Sequence, residues 1–265
     1  MYSNPNATTF RYSNTPFRSS GRATFLWLIA SLVSLAWLTL WIWSRSPYGR
    51  YLDHGQLAGN DSLFILVALY VLGWTLMTVA MMLPTTLPLL EIFRRLTVRR
   101  QDRALLRALV IAGYLGAWAG FGVAAHLADW VLHEIVERSS WLEANAWVIG
   151  GGTLLLAGAF QFSGLKYRCL DKCRAPLSFV MEYWRGRHDR RNALLLGINH
   201  GIFCVGCCWA LMLLMFGVGV GNIGWMLGLA AVMAVEKNVS WGRKLSTPLG
   251  LALLGSGGFL LLNHS

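Results

Sequence analysis

Long apolar segments dominate this chain and limit it to folds that can be built in lipid. Seven of them reach or approach the roughly 20 residues that a helix needs to cross a bilayer, at about 23–43, 62–90, 104–133, 146–165, 193–217, 221–237 and 246–262. Only 13% of the residues are charged, against about 25% in soluble domains. We therefore predict an all-α, polytopic bundle of about seven transmembrane helices. The last two segments are short and Gly-rich, so six spans with one re-entrant piece is the alternative.

The basic residues indicate the orientation of these spans. Most lie before the first segment and in the even-numbered connections, at Arg11, Arg18 and Arg22 and within 94–107, 166–191 and 237–244. Arg45, Arg50 and Arg138 lie on the other side. By the positive-inside rule the N-terminus is cytoplasmic. The formal net charge of +11 therefore reflects topology, and we expect no nucleic-acid partner.

The first 20 residues differ in composition from the remainder. They are polar and rich in Ser, Asn and Thr, which predicts a disordered cytoplasmic tail at 1–20. The first apolar segment is too long for a signal-peptide core and lacks a cleavage signature, so it should be retained as a span. Residues 21–265 then form a single transmembrane helical domain.

The segment 200–216, HGIFCVGCCWALMLLMF, carries the strongest functional signal. At helical spacing His200, Cys204, Cys208 and Met212 share one face, and Cys207 lies close enough to join them. Imidazole, thiolate and thioether are ligands that soft metals prefer, Cu(I) above all. The alternative is that these side chains only fill a membrane core.

A second candidate region lies on the second apolar segment. Met77 and Met81 are one turn apart, and Met82 follows directly. Pro84 and Pro88 should bend the helix and free backbone carbonyls. Irregular backbone at membrane depth usually lines a protected cavity, although methionine also packs readily between helices.

Two further groups follow from spacing. Cys169 and Cys173 are four residues apart near the cytoplasmic end of the fourth span, where they are either metal ligands or thiols without a role. His126, Asp129 and His133 share one face of the third span, and whether they form a second site or only face water and headgroups stays open.

One charged pair completes the set of intramembrane polar residues. Glu236 and Lys237 are adjacent at the inner end of the sixth segment. We interpret them as an intramembrane ion pair rather than a site, because charges at this depth usually pair with one another.

Three sequence blocks together resemble a known family. They are WTLMTVAMMLPTTLP, AGAFQFSGLKYRCLDKCRAP and GINHGIFCVGCCWALM, followed by Glu236 and Lys237. In this order they are similar to predicted metal-binding integral membrane proteins, a family that includes the accessory copper chaperone of a bacterial polyphenol oxidase (tyrosinase). The resemblance covers about 74–240. By motif match it implies metal ligands at Met81, Met82, Cys169, Cys173, Cys204, Cys207 and Cys208, in a multi-pass protein of the bacterial inner membrane.

These observations predict a membrane protein that binds copper, as Cu(I), and passes it to a client cuproenzyme or across the bilayer. Cys204, Cys207 and Cys208 would form the central site, with Cys169 and Cys173 as the cytoplasmic acceptor and methionines as weak stations between them. We expect no catalytic activity. The alternatives are a membrane thiol–disulfide oxidoreductase, a metal transporter and a structural subunit of a membrane complex.

Overall fold

The computed structural model describes residues 19–45, 63–145, 147–184, 189–218 and 222–264. All regular secondary structure in these ranges is helical. The helices are α1 Ser19–Ser44, α2 Leu63–Met81, α3 Leu87–Leu96, α4 Arg103–Glu137, α5 Ser140–Ala144, α6 Trp147–Phe160, α7 Gly164–Arg174, α8 Pro176–Tyr183, α9 Asp189–Val218, α10 Ile223–Asn238 and α11 Ser246–His264. The tail predicted at 1–20 lies, up to residue 18, outside the described residues.

The helices include several that can cross a membrane. Four are long and apolar enough by themselves, over Arg22–Ser44, Arg103–Glu137, Asp189–Met215 and Gly242–Asn263. Two further spans are possible if each of two bent helix pairs counts as one, which gives up to 6 in the described residues. Helix α10 has 16 residues, fewer than the roughly 20 needed to cross. An all-helical membrane protein is therefore confirmed, with four to six candidate spans.

Apolar side chains on the outer faces of the bundle fit this reading. Trp27 and Leu28 on α1, and Phe259 and Leu262 on α11, are each more than 60% exposed. Side chains of this size are costly to leave in water, and in a bilayer they contact acyl chains instead.

The first bent pair is produced by prolines, as the sequence predicts. Beyond α2 the chain forms a short 3₁₀ turn at Pro84–Thr86, and α3 leaves at 48° to α2. Proline removes backbone donors, so carbonyls of the preceding turn lose their helical partners. The hydroxyls of Thr85 and Thr86 donate to the carbonyls of Met82 and Leu83, both at 2.8 Å. These two hydrogen bonds tie the turn to the residues just before it, and Met82 at this break is fully buried in the core.

The second bent pair gives Cys169 and Cys173 a helix of their own. Helix α6 ends at Phe160, and α7 begins at Gly164 at an angle of 62°. The hydroxyl of Ser163 accepts the Lys166 N–H at 3.1 Å and caps the new helix. Helix α7 packs against α9 and α10, so its cysteines face the bundle instead of prolonging the fourth span.

Close packing of α4 on α9 fixes the position of the segment 200–216. Gly197 and Gly201 on α9 lie against α4 so closely that a Cβ at Gly201 would meet the Ala117 Cβ at 2.6 Å. At Gly197 an added Cβ would collide with the Val110 carbonyl. Small residues four apart commonly let membrane helices approach in this way. The seam brings Tyr114 of α4 to the cysteines of α9.

Candidate metal centre

A buried ammonium group lies among three sulfur atoms at the centre of the bundle. The Lys237 Nζ is 2.9 Å from the Cys204 Sγ, 3.5 Å from the Met82 Sδ and 3.7 Å from the Cys208 Sγ. All three sulfur-bearing residues are at most 1% exposed, and Lys237 is 6% exposed. The Cys208 Sγ is also 3.9 Å from the Met82 Sδ. We call Cys204, Cys208 and Met82 the sulfur cluster.

Four helices supply the cluster and its immediate partners. Cys204 and Cys208 are one turn apart on α9, and Met82 follows α2 at the proline break. Lys237 is in the last turn of α10. The Tyr114 hydroxyl of α4 is 3.1 Å from the Cys204 Sγ and 3.3 Å from the Met82 carbonyl. The cluster is thus assembled from segments far apart in sequence.

The remaining three cysteines extend this group toward α7. The Cys207 thiol donates to the Cys204 carbonyl at 3.0 Å, and its side chain interacts with that of Cys173 on α7. Cys169 packs against Gly206, where a Cβ would meet the Cys169 Sγ at 2.6 Å. The sequence predicted Cys169 and Cys173 as a separate acceptor with methionines in between. The structure instead brings Cys173 directly to Cys207.

The thiols are engaged with protein groups in this arrangement. Within the described residues, no three His, Cys, Asp or Glu side chains present a ready metal-binding geometry. The thiols of Cys207 and Cys208 both point to the Cys204 carbonyl, each at 3.0 Å. Thiols are weak donors, so rotating these side chains toward a soft cation costs little.

The other predicted ligands occupy different surroundings. Met77, Met81 and Met212 are fully buried in the same hydrophobic core. His200 is 4% exposed and contacts two aromatic rings, that of Tyr114 in a tilted arrangement at 5.8 Å between centroids and that of Phe179 edge to face at 5.4 Å. Its Nδ1 is buried without a hydrogen-bond partner in the described part of the chain. It also lines a small cavity with Leu83 and Thr86.

The polar face of α4 does not gather into a three-residue group. The His133 Nδ1 is 3.9 Å from the Asp129 Oδ1, and the His133 side chain is half exposed whereas that of Asp129 is 19% exposed. His126 stacks instead on Tyr70, with ring centroids 4.2 Å apart. These geometries match interfacial polar residues better than a second metal site.

The interpretation of Glu236 and Lys237 as an ion pair is wrong. Glu236 pairs with Lys166, whose Nζ lies 2.8 and 2.9 Å from the two carboxylate oxygens. Gln161 and Ser246 add hydrogen bonds to the same pair. Consecutive residues on a helix point in different directions. Because Glu236 faces α7, the next residue, Lys237, is directed to the sulfur cluster.

This network also corrects the assignment of two lysines to loops. Lys166 is completely buried and Lys237 is nearly so, so neither is a cytoplasmic surface charge. Arg174 extends the network, because its guanidinium donates to the carbonyl of Glu236 in the last turn of α10 and to that of Ser240 just beyond it. An arginine at this position also interacts favourably with the helix dipole.

Sequence reasoning missed Lys237, Tyr114 and the buried Lys166–Glu236 pair as parts of the centre. A usable signal was present for Lys166, which lies between Leu165 and Tyr167, whereas Lys237 lies between the polar residues Glu236 and Asn238 and carries no such signal. No comparable sequence signal points to Tyr114, because its position beside Cys204 follows from the contact between α4 and α9.

Comparison with known proteins identifies the family. The family model for the PpoB2 copper chaperones matches residues 71–260. The match covers most of the chain. The chain belongs to the PpoB2 copper chaperone family.

The matched range contains the sulfur cluster, Lys237 and all five cysteines. Searches of curated proteins and of solved structures gave no match. Membership of a copper chaperone family indicates copper as the metal and favours a non-catalytic protein.

The Lys166–Glu236 pair supports a stability prediction. Replacing Glu236 by Gln leaves the Lys166 ammonium buried without its counter-charge, where both side chains are at most 2% exposed. We expect a loss of about 3–5 kcal/mol, measured as unfolding of the detergent-solubilised protein. Glu182→Gln is the matched control, because its partner Lys172 is about half exposed and such pairs contribute below about 1 kcal/mol. Equal losses in the two variants would contradict the account.

Proposed function

We propose that this protein binds Cu(I) at Cys204 and Cys208, with the Met82 thioether as a third donor, and delivers it to a cuproenzyme. The observation that carries the proposal is the convergence of two thiols and one thioether on a single buried cation, the ammonium of Lys237. A position that holds one positive charge among sulfur atoms suits a soft monovalent metal. The copper chaperone family supplies independent support.

The donor set suits transfer better than storage. Thiolate and thioether sulfur select Cu(I) over harder cations. A thioether carries no charge and needs no deprotonation, so it can bind Cu(I) and release it readily. Met82 is held in place by the proline break, whereas the thiols can rotate from their backbone acceptors.

A route for the metal is suggested by the second group of thiols. Cys207 lies one turn from Cys204 and contacts Cys173 on α7, and Cys173 is half-buried, unlike the other cysteines. In our proposal Cu(I) exchanges between the sulfur cluster and the Cys207–Cys173 pair, with Cys169 beside it. His200, Met77, Met81 and Met212 remain candidates for additional, weaker contacts along the way.

The membrane arrangement is part of the proposal. We infer a multi-pass protein of the bacterial inner membrane with a cytoplasmic N-terminus, a tail at 1–20 and one membrane domain from 21 onward. Seven spans require α10 to cross despite its 16 residues. With this orientation α7 and the C-terminal end of α10 lie toward the cytoplasm, and Cys173 is the thiol closest to a cytoplasmic donor or acceptor.

A thiol–disulfide oxidoreductase is the competing activity. It would have to cycle through a disulfide, whereas copper binding needs reduced thiols. The family assignment favours the chaperone. No feature of the described residues favours the enzyme.

Copper retention tests the proposed site. Protein purified in detergent and loaded with Cu(I) under reducing conditions should retain the metal, and Cys204→Ser with Cys208→Ser should lose it because both anionic ligands are gone. Met82→Leu should weaken retention. Met226→Leu is the matched control, since Met226 is equally buried on α10 but about 16 Å from Lys237 along that helix. Unchanged copper content in the cysteine double variant would refute the assignment.

Cysteine labelling tests the proposed orientation of the protein in the membrane. Arg99 and Glu143 are both exposed, Arg99 in the predicted cytoplasmic connection after α3 and Glu143 on the short helix α5 in the predicted external connection. Arg99→Cys should react with a membrane-impermeant maleimide only in inside-out vesicles, and Glu143→Cys only in intact spheroplasts. Wild-type protein measures the background from native thiols. The reverse labelling pattern would show that the topology is inverted.

A further inference from the structure

Lys237 is the charged side chain that faces the sulfur cluster, because the neighbouring charged groups bind other partners. Its ammonium contacts sulfur atoms of Cys204, Cys208 and Met82. The neighbouring charges balance among themselves, because Lys166 and Glu236 form a closed pair at 2.8 Å. The Arg174 guanidinium donates to the backbone carbonyls of Glu236, in the last turn of α10, and of Ser240, just beyond that helix. One fixed positive charge is therefore built into the centre.

A fixed positive charge at this depth restricts which metal the thiols can hold. Two thiolates bring two negative charges, and Lys237 supplies one positive charge. A monovalent cation makes the whole centre neutral, whereas a divalent cation leaves one uncompensated positive charge. In a low-dielectric interior an unbalanced charge is costly, and two cations a few ångströms apart repel strongly.

We propose that Lys237 is a specificity-determining residue that makes the sulfur cluster accept monovalent soft cations and reject divalent ones. The competing ions are Zn²⁺ and Cd²⁺, which also bind thiolate sulfur. Ligand type alone separates them poorly from Cu(I), so a charge-based filter supplies the missing discrimination. This inference rests on the proposed copper site and adds the residue that decides whether the site accepts monovalent or divalent metal ions.

The inference differs from a structural role for Lys237. If the lysine only filled space or tied α10 to α9, its replacement would weaken binding of all cations alike. A charge filter instead changes the ratio between monovalent and divalent binding. It also predicts that the charge of the side chain matters more than its shape.

The test is competitive loading of the full-length protein in detergent under reducing conditions. Wild-type protein and each variant are dialysed against equal concentrations of Cu(I) and Cd²⁺ in the same thiol buffer, and bound metals are measured by mass spectrometry. We expect Lys237→Leu, which removes the charge and adds no metal ligand, to lower the bound Cu(I)-to-Cd²⁺ ratio by at least about tenfold. Lys237→Arg, which keeps the charge, should stay near the wild-type ratio.

Two controls separate local charge from other effects. Lys244→Met removes one positive charge from an exposed position near the same end of the bundle and should leave the ratio unchanged. Cys208→Ser removes one thiolate, so Cu(I) would then leave a net positive charge beside Lys237. Adding Lys237→Leu to Cys208→Ser should therefore raise Cu(I) retention above that of Cys208→Ser alone.

The outcomes distinguish this inference from the proposed function. If wild-type protein retains no Cu(I), or retains it without Cys204 and Cys208, the copper site itself is wrong. If wild-type protein retains Cu(I) at those cysteines but Lys237→Leu keeps the metal ratio, the charge filter is wrong and the copper site stands. If Lys237→Leu and Lys237→Gln both fail to fold while Lys237→Arg folds, Lys237 serves stability and the proposal is overturned.

Discussion

Burial of the Lys237 ammonium inside a membrane bundle is the constraint on which the rest of this structure depends. A cation removed from water needs partners that replace its hydration. A carboxylate is the usual partner of a buried ammonium. The adjacent residue Glu236 carries one, but it is paired with Lys166. Lys237 is left to sulfur, which is a poor acceptor for an ammonium and a good ligand for a soft metal. This mismatch is what distinguishes the centre from an ordinary buried ion pair.

Two interrupted helices make the centre possible. An unbroken α2 would carry its methionines along one straight face, and an unbroken fourth span would take Cys169 and Cys173 away from α9. The proline break and the Ser163-capped turn instead bend the chain by 48° and 62°. At each break nearby hydroxyls hydrogen-bond to backbone groups, which helps to stabilise the bends at membrane depth. The close α4–α9 seam then holds Tyr114 against Cys204.

The sequence was sufficient for the class of fold and for much of the centre's composition. Span length and scarce charge predict a helical membrane protein, helical spacing places Cys204 and Cys208 together, and Pro84 predicts the bend beside Met82. Spacing within one helix cannot reveal contacts between helices. For that reason the Cys173–Cys207 contact and the role of Tyr114 were not predicted. Lys237 was assigned to Glu236 because neighbours in sequence are the easiest partners to suggest, although they diverge around a helix.

The central claim is that Cys204, Cys208 and Met82 hold copper as Cu(I), and copper X-ray absorption spectroscopy of the loaded full-length protein tests it most directly. The account predicts an absorption edge typical of Cu(I) and a first coordination shell composed of sulfur. It further predicts that this sulfur shell disappears in Cys204→Ser with Cys208→Ser and persists in Met226→Leu. A shell of nitrogen or oxygen ligands, or a sulfur shell unaffected by loss of both cysteines, would contradict the account.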